Sequence, residues 1–167
     1  MLTLLRHLAS IALLPFMVAV VVPHWIVRRW GVELEAPAGA LAWLAALGGV
    51  ACLAVGLALF AASLRRFATE GQGTLAPWDS PRRLVVRGPY RFVRNPMISG
   101  VIFLLIGEAL VLRSLPHGVW AAFFVVLNAV YIPLVEEPQL VTRFGDDYRR
   151  YRDHVPRFLP RTRPWTP

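Results

Sequence analysis

The chain has 167 residues, enough for one domain, and 56% of them are hydrophobic, which is too apolar for an ordinary soluble fold. Its net charge of +8 comes from 18 arginines and no lysine. These arginines flank apolar runs, so membrane orientation and lipid phosphate explain them and no nucleic-acid partner is expected.

The first apolar run, residues 8–27, has the length to span a bilayer core of roughly 30 Å. Arg6 precedes it, as in a signal peptide. The run is long for one, and no small-x-small cleavage site follows, so a retained membrane helix is expected, kinked at Pro15 and Pro23. After a polar link at 28–35, Pro37 opens a second run that reaches about Ala62. It is uncharged and rich in alanine and glycine (Gly39, Gly48, Gly49, Gly56), so it reads as a helix that lies close against its neighbours. Its Cys52 is the only cysteine in the chain, which excludes an intrachain disulfide and a cysteine metal cluster. The four histidines, at 7, 24, 117 and 154, have no ligand spacing, and no metal is expected.

Residues 63–95 are polar and irregular, broken by Gly71, Gly73, Pro77, Pro81, Gly88 and Pro89. Seven arginines (65, 66, 82, 83, 87, 91 and 94) alternate there with Phe67, Trp78, Tyr90 and Phe92. Such a mixture serves as an interfacial anchor or as the wall of a site for a flat, charged ligand. The stretch closes on a helix that starts near Pro96, with Asn95 as its cap. The first turn of that helix offers free N–H groups and a positive dipole end to an anion.

Residues 97–112 and 119–135 form the third and fourth runs, joined by a tight hairpin at 113–118. Each is short for a span, since 17 residues at ~1.5 Å each reach only ~26 Å. Glu108 lies inside the third run and Asn128 inside the fourth. An embedded carboxylate costs roughly 2.5–3.5 kcal/mol on insertion scales. Glu108 is either a functional carboxylate or, as its distance from the polar loop favours, a protonated or hydrogen-bonded packing group near the outer surface. The fourth run ends in Glu136-Glu137. Beyond it Leu140, Phe144, Tyr148, Tyr151 and Val155 recur at three- and four-residue steps. That is an amphipathic helix along the membrane interface, weakened or divided by Gly145 and ended by Pro156. A basic, proline-rich tail follows.

The expected fold is therefore an all-α integral membrane protein of about four transmembrane helices. It is a single domain with two close-set helices in residues 1–62, a helical-hairpin core and a C-terminal amphipathic interfacial helix. Four spans put both ends and the middle loop on one side of the membrane. That side collects 15 arginines against 3 on the other, so both termini are expected in the cytoplasm, in an inner or plasma membrane. The hairpin returns Glu136 and Glu137 to the surface where residues 90–98 lie. Arginine, backbone N–H groups, aromatic rings and carboxylates together suit a zwitterionic, nucleotide-like cofactor beside a lipid-facing opening.

The string Gly88-x-Tyr90-x-x-x-Arg94-Asn95-Pro96, a helical hairpin, Glu136-Glu137-x-x-Leu140, and Phe144-Gly145-x-x-Tyr148-x-x-Tyr151-x-x-x-Val155-Pro156 resembles the isoprenylcysteine carboxyl methyltransferase family. The phospholipid N-methyltransferases are its neighbours. The likeness covers about residues 82–160 and implies an S-adenosyl-L-methionine-dependent membrane enzyme acting on a lipophilic small molecule or lipid. It implies that Arg82, Arg83, Leu84, Val85, Tyr90, Asn95, Pro96, Met97, Ile98, Glu136 and Glu137 surround the cofactor, with Arg94 helping to position it. Asn95 stands where the family has histidine, Ile98 where it has tyrosine, and Ile132 where the prenylcysteine enzymes hold the substrate carboxylate with arginine. The chemistry implied is direct in-line methyl transfer, in which alignment alone is worth ~7–11 kcal/mol in the best cases. Two other readings of the chain are an NADPH-dependent membrane reductase of the sterol type and a non-catalytic membrane adaptor.

Overall fold

The computed structural model describes residues 12–66, 69 and 84–166. All regular structure in them is helical. A π-helical stretch, Ala12–Val21, passes into α1, Val22–Trp30; α2 is Ala40–Arg66. A single 3₁₀ turn, Gly88–Arg91, precedes α3, Pro96–Val111. α4 is Leu115–Tyr131, a second π-helical stretch is Ile132–Glu136, and α5 is Glu137–His154.

Both wide stretches contain a proline, Pro15 in the first and Pro133 in the second. Proline has no N–H, and its ring clashes with the carbonyl four residues back, so the helix widens locally. Past Pro133 the Glu137 N–H reaches back five residues to the Ile132 carbonyl. At Val18 the residue five ahead is Pro23, which has no N–H to return. The Trp120 indole donates to the Val18 carbonyl instead, at 3.0 Å, and so ties the first stretch to α4.

The sequence places the hairpin between the third and fourth runs at 113–118. The structure confines it to the residues around Arg113, whose φ of 47° makes the reversal. α4 starts earlier, at Leu115, because Pro116 falls in the first turn, where a missing N–H removes no helical bond. At its far end α4 does not stop at Glu136-Glu137. It runs through the π stretch into α5, so that Leu115–His154 is one helical rod with a kink at Gly145. Gly145, at φ 56° and ψ −129°, divides α5 as its sequence position suggests; few other residues adopt that conformation.

α2 and the rod Leu115–His154 are long and apolar enough to cross a membrane, and α3 is apolar but shorter. Their outer faces expose Leu41, Leu44, Leu47, Phe123, Val126 and Leu134, the surface a helix turns to lipid. Inside, Val101 and Leu105 of α3 meet Ala121 and Phe124 of α4 and Ala19. α3 is thus the central helix. Its other side lies against α2 through two reciprocal glycine pairs. A Cβ on Gly56 would stand 2.8 Å from the Gly100 carbonyl oxygen, and one on Gly107 would stand 2.8 Å from that of Gly49. In each helix the two glycines are two turns apart on one face. Without a hydrophobic force between helices in lipid, such close approach is what holds them together.

Glu108 sits near the end of α3 remote from the loop, and its Oε2 is buried with no hydrogen-bond partner among the described residues. Asn128 turns back on its own helix, donating to the Phe124 carbonyl at 2.8 Å.

The glycine contacts make a stability prediction. Gly56→Ala and Gly100→Ala each force backbone apart and lower stability by about 1–3 kcal/mol. Gly48→Ala meets nothing within 4 Å and is neutral or slightly stabilising. Thermal unfolding of the three variants in detergent checks the contrast.

Candidate functional site

Residues 84–95 form a loop that closes on the start of α3. Pro96 is buried in the first helical turn, and Asn95 occupies the cap position. The Asn95 side chain makes no capping bond, contrary to the sequence expectation. Its backbone carbonyl instead accepts both the N–H and the hydroxyl of Ser99, each at 3.0 Å. That leaves the amides of Met97 and Ile98 outside the helical ladder.

The foot of the α4–α5 rod stands against this loop. Arg94 Nη1 lies 3.1 Å from Glu137 Oε1, and both side chains are only 8% exposed. Arg157, arriving from the segment beyond α5, donates its Nε to the same oxygen at 2.6 Å. Arg94 Nη1 also donates to the Tyr148 hydroxyl at 3.3 Å. The Arg94 Nε, by contrast, is buried without a partner among the described residues. Tyr151 donates its hydroxyl to the Tyr90 carbonyl at 2.7 Å. Three parts of the chain far apart in sequence are therefore joined at one buried ionic centre.

Glu136 is the other carboxylate at this centre. Burial pushes its carboxyl above the usual range, the charge of Glu137 adds to the rise, and Arg94 opposes it. Among the described residues it has no salt bridge. The Tyr90 phenol is pushed up as well, first by burial and second by the charge of Glu136. It stays neutral and remains a hydrogen-bond donor throughout the physiological range.

The structure brings Tyr90, Arg94, Asn95, Pro96, Glu136 and Glu137 together. Val85 is buried and Leu84 lies against the cluster of Tyr148, Tyr151 and Val155. Met97 is half-buried, and Ile98 packs with Val101 and Leu105 in the bundle core. Arg82 and Arg83 lie outside the described residues. Sequence reasoning placed Tyr148 and Tyr151 on the apolar face of an interfacial helix. They are 3% and 2% exposed, and that face is covered by the loop and by Trp165. Their recurrence with Leu140 and Phe144 was visible, but a membrane and a protein surface accept the same pattern. Arg157 carried no such signal among the tail arginines. Among the described residues no group of three or more His, Cys, Asp or Glu is placed to hold a metal.

A search of protein families matches the phospholipid methyltransferase model to residues 44–147, from α2 through the glutamate pair into α5. The chain belongs to the phospholipid methyltransferase family. No curated protein and no solved structure matches it. Family membership assigns a methyl-transfer activity to this helical membrane fold, and the matched region contains the loop, α3, the hairpin and both glutamates of the ionic centre.

The double pairing at Glu137 predicts the outcome of its removal. Glu137→Ala leaves Arg94 buried without its counter-ion, a loss of about 3–5 kcal/mol for a buried pair. Arg157→Ala, at a position 31% exposed, lowers stability less. Denaturation midpoints of the two variants in detergent test the ranking.

Proposed function

We propose that this family member is an integral membrane methyltransferase that uses S-adenosyl-L-methionine and methylates a small lipophilic acceptor. Its site and both ends face the cytoplasm, in the inner or plasma membrane, in keeping with the arginine distribution. The observation that carries this reading is the convergence of Tyr90 and Arg94, from the loop that leads into α3, on the Glu136-Glu137 pair.

The residues present fit such a cofactor. The Arg94 Nε, unpartnered among the described residues, and the amides of Met97 and Ile98, outside the helical ladder, suit a carboxylate. Glu136, buried and without an ion pair among the described residues, suits a cationic group. A zwitterion meets both demands. When bound, it supplies an electrophilic methyl on a sulfonium centre. The protein's part is to bind, orient and exclude water. Glu137 and Tyr148 fix the Arg94 guanidinium so that its Nε is presented; the neutral Tyr90 phenol offers a hydrogen bond beside Glu136.

The acceptor class follows from Ile132. It is 1% exposed and lies one turn before Glu136 along the rod. No guanidinium stands there to hold a substrate carboxylate. A neutral or cationic lipophilic acceptor fits better than a prenylcysteine.

Isothermal titration of detergent-purified protein with S-adenosylhomocysteine, and with NADPH as control, tests the reading. Micromolar binding of the first alone is expected; binding of NADPH alone, or of neither, overturns it. Glu136→Gln and Tyr90→Ala are expected to weaken binding at least tenfold, about 1.4 kcal/mol.

The raised Glu136 carboxyl adds a pH prediction. A group whose folded value lies above its unfolded value stabilises the fold while protonated. That contribution is complete below the ordinary 4.5 and is lost as pH rises through the folded value. The ligand-free protein is therefore expected to lose stability over that rise. Glu136→Gln removes the loss and raises the neutral-pH melting temperature, by about 2–4 °C for each kcal/mol relieved. Binding behaves oppositely: affinity for a cationic ligand group falls as pH drops toward the raised value. Melting curves and titrations across pH 5–8 check both signs.

A further inference from the structure

The loop that carries Tyr90 does not satisfy its own backbone. Within it, Tyr90 N–H reaches the Arg87 carbonyl, and the Phe92 and Val93 N–H groups share that of Pro89. The Arg91 and Phe92 carbonyls find their donors, among the described residues, in the segment beyond α5. Trp165 N–H donates to the Arg91 carbonyl at 2.9 Å and Arg161 N–H to that of Phe92 at 3.0 Å. In return, Arg94 N–H donates to the Pro156 carbonyl at 2.9 Å. The Arg91 side chain completes the junction. Its Nε donates to the Trp165 carbonyl at 2.7 Å and its Nη2 to the Thr166 hydroxyl at 2.6 Å.

The Trp165 ring is seated between two residues of α5. It stacks on His154 at 5.4 Å and 18°, and lies 5.8 Å from Tyr151. Tyr151 is the residue whose hydroxyl holds the Tyr90 carbonyl. One side of Trp165 therefore grips Arg91 through the backbone, and the other backs the side chain that fixes Tyr90. Prolines at 156, 160 and 164 stiffen the segment and lower the entropy lost on docking it. Arg161 Nη1 donates to the His154 carbonyl at 2.8 Å and so anchors the same segment to the end of α5.

We propose that residues 156–166 are a clasp on the Tyr90 loop, and that Trp165 is a positioning residue for ligand binding at the site. Its effect on cofactor affinity rests on the function proposed above; the clasp itself does not. The family match ends at residue 147, so the clasp lies outside the matched region. It is built from Trp165 and Arg91, neither of which is a candidate cofactor contact.

Hydrogen exchange of the full chain in detergent, read by mass spectrometry over loop peptides 84–95 and over α3, tests the clasp. Trp165→Ala and Arg91→Ala are each expected to speed loop exchange at least tenfold while α3 exchange is unchanged. Trp165→Phe, which keeps a ring against Tyr151, restores most of the protection, and exposed Arg163→Ala has no effect. Unchanged loop exchange in the alanine variants overturns the proposal, and so does an equal loss of protection in α3, which signals general unfolding. S-adenosylhomocysteine titration of the same proteins tests the positioning role. About tenfold weaker binding in Trp165→Ala, recovered in Trp165→Phe, is expected; unchanged affinity overturns that role. Should the wild type bind no S-adenosylhomocysteine, the proposed function fails, and loop exchange alone decides the clasp.

Discussion

One oxygen atom organises the end of this bundle. Glu137 Oε1 meets Arg94 from the loop before α3 and Arg157 from the segment beyond α5. A carboxylate and a guanidinium this deeply buried are tolerable only as partners. The pairing therefore fixes where the loop, the rod and the tail must lie together. It also leaves a surplus. Two guanidinium groups face one carboxylate, and Glu136 supplies the second negative charge nearby without touching either. The centre approaches neutrality as a whole, yet Glu136 keeps its acceptor oxygens for something else.

The second requirement is that both glutamates arrive on the correct side of the rod. Pro133 provides it. A regular α-helix advances ~100° per residue, so the one-residue excess of a π turn swings everything beyond it by that angle. The widening at Ile132–Glu136 sets the direction of the acidic pair and of α5 beyond it. Tyr148 and Tyr151 then reach the loop. The same device recurs at Ala12–Val21, where the orphaned Val18 carbonyl is claimed by Trp120. In both places a proline breaks the ladder and a distant or wider-reaching donor repairs it.

Much of this was legible in the residues. The apolar runs gave the helices, Pro96 gave the start of α3, and Gly145 gave the break in α5. The loop motif and the glutamate pair pointed to one end of a hairpin, and the structure joins them through Arg94 and Glu137. What stayed hidden was direction rather than position. A glycine in a helix reveals that something can come close, not what does: Gly49 and Gly56 meet α3, whereas nothing lies within 4 Å of Gly48. The turn at Pro133 could not be read from the run that holds it, because a one-residue change of winding leaves no mark on hydropathy. Asn95 looked like a cap, but Ser99 claims the carbonyl and the side chain makes no capping bond. Trp165 and Arg157, in a basic tail, had no periodicity to read.

The unpaired state of Glu136, among the described residues, is what favours the proposed site over a mere structural ionic lock. If the centre served only to hold loop, rod and tail together, Glu137 with its two arginines would suffice. An apolar residue at 136 would then avoid the penalty of burying a second carboxylate beside the first. The chain instead keeps a carboxylate that burial and a like charge both disfavour, next to a phenol held neutral by the same surroundings. It also leaves the buried Nε–H of Arg94 unanswered among the described residues. Local conflicts of this kind gather where a ligand resolves them. A group bearing both signs of charge resolves these two at once, and that is the demand which the zwitterionic cofactor of the proposed function meets.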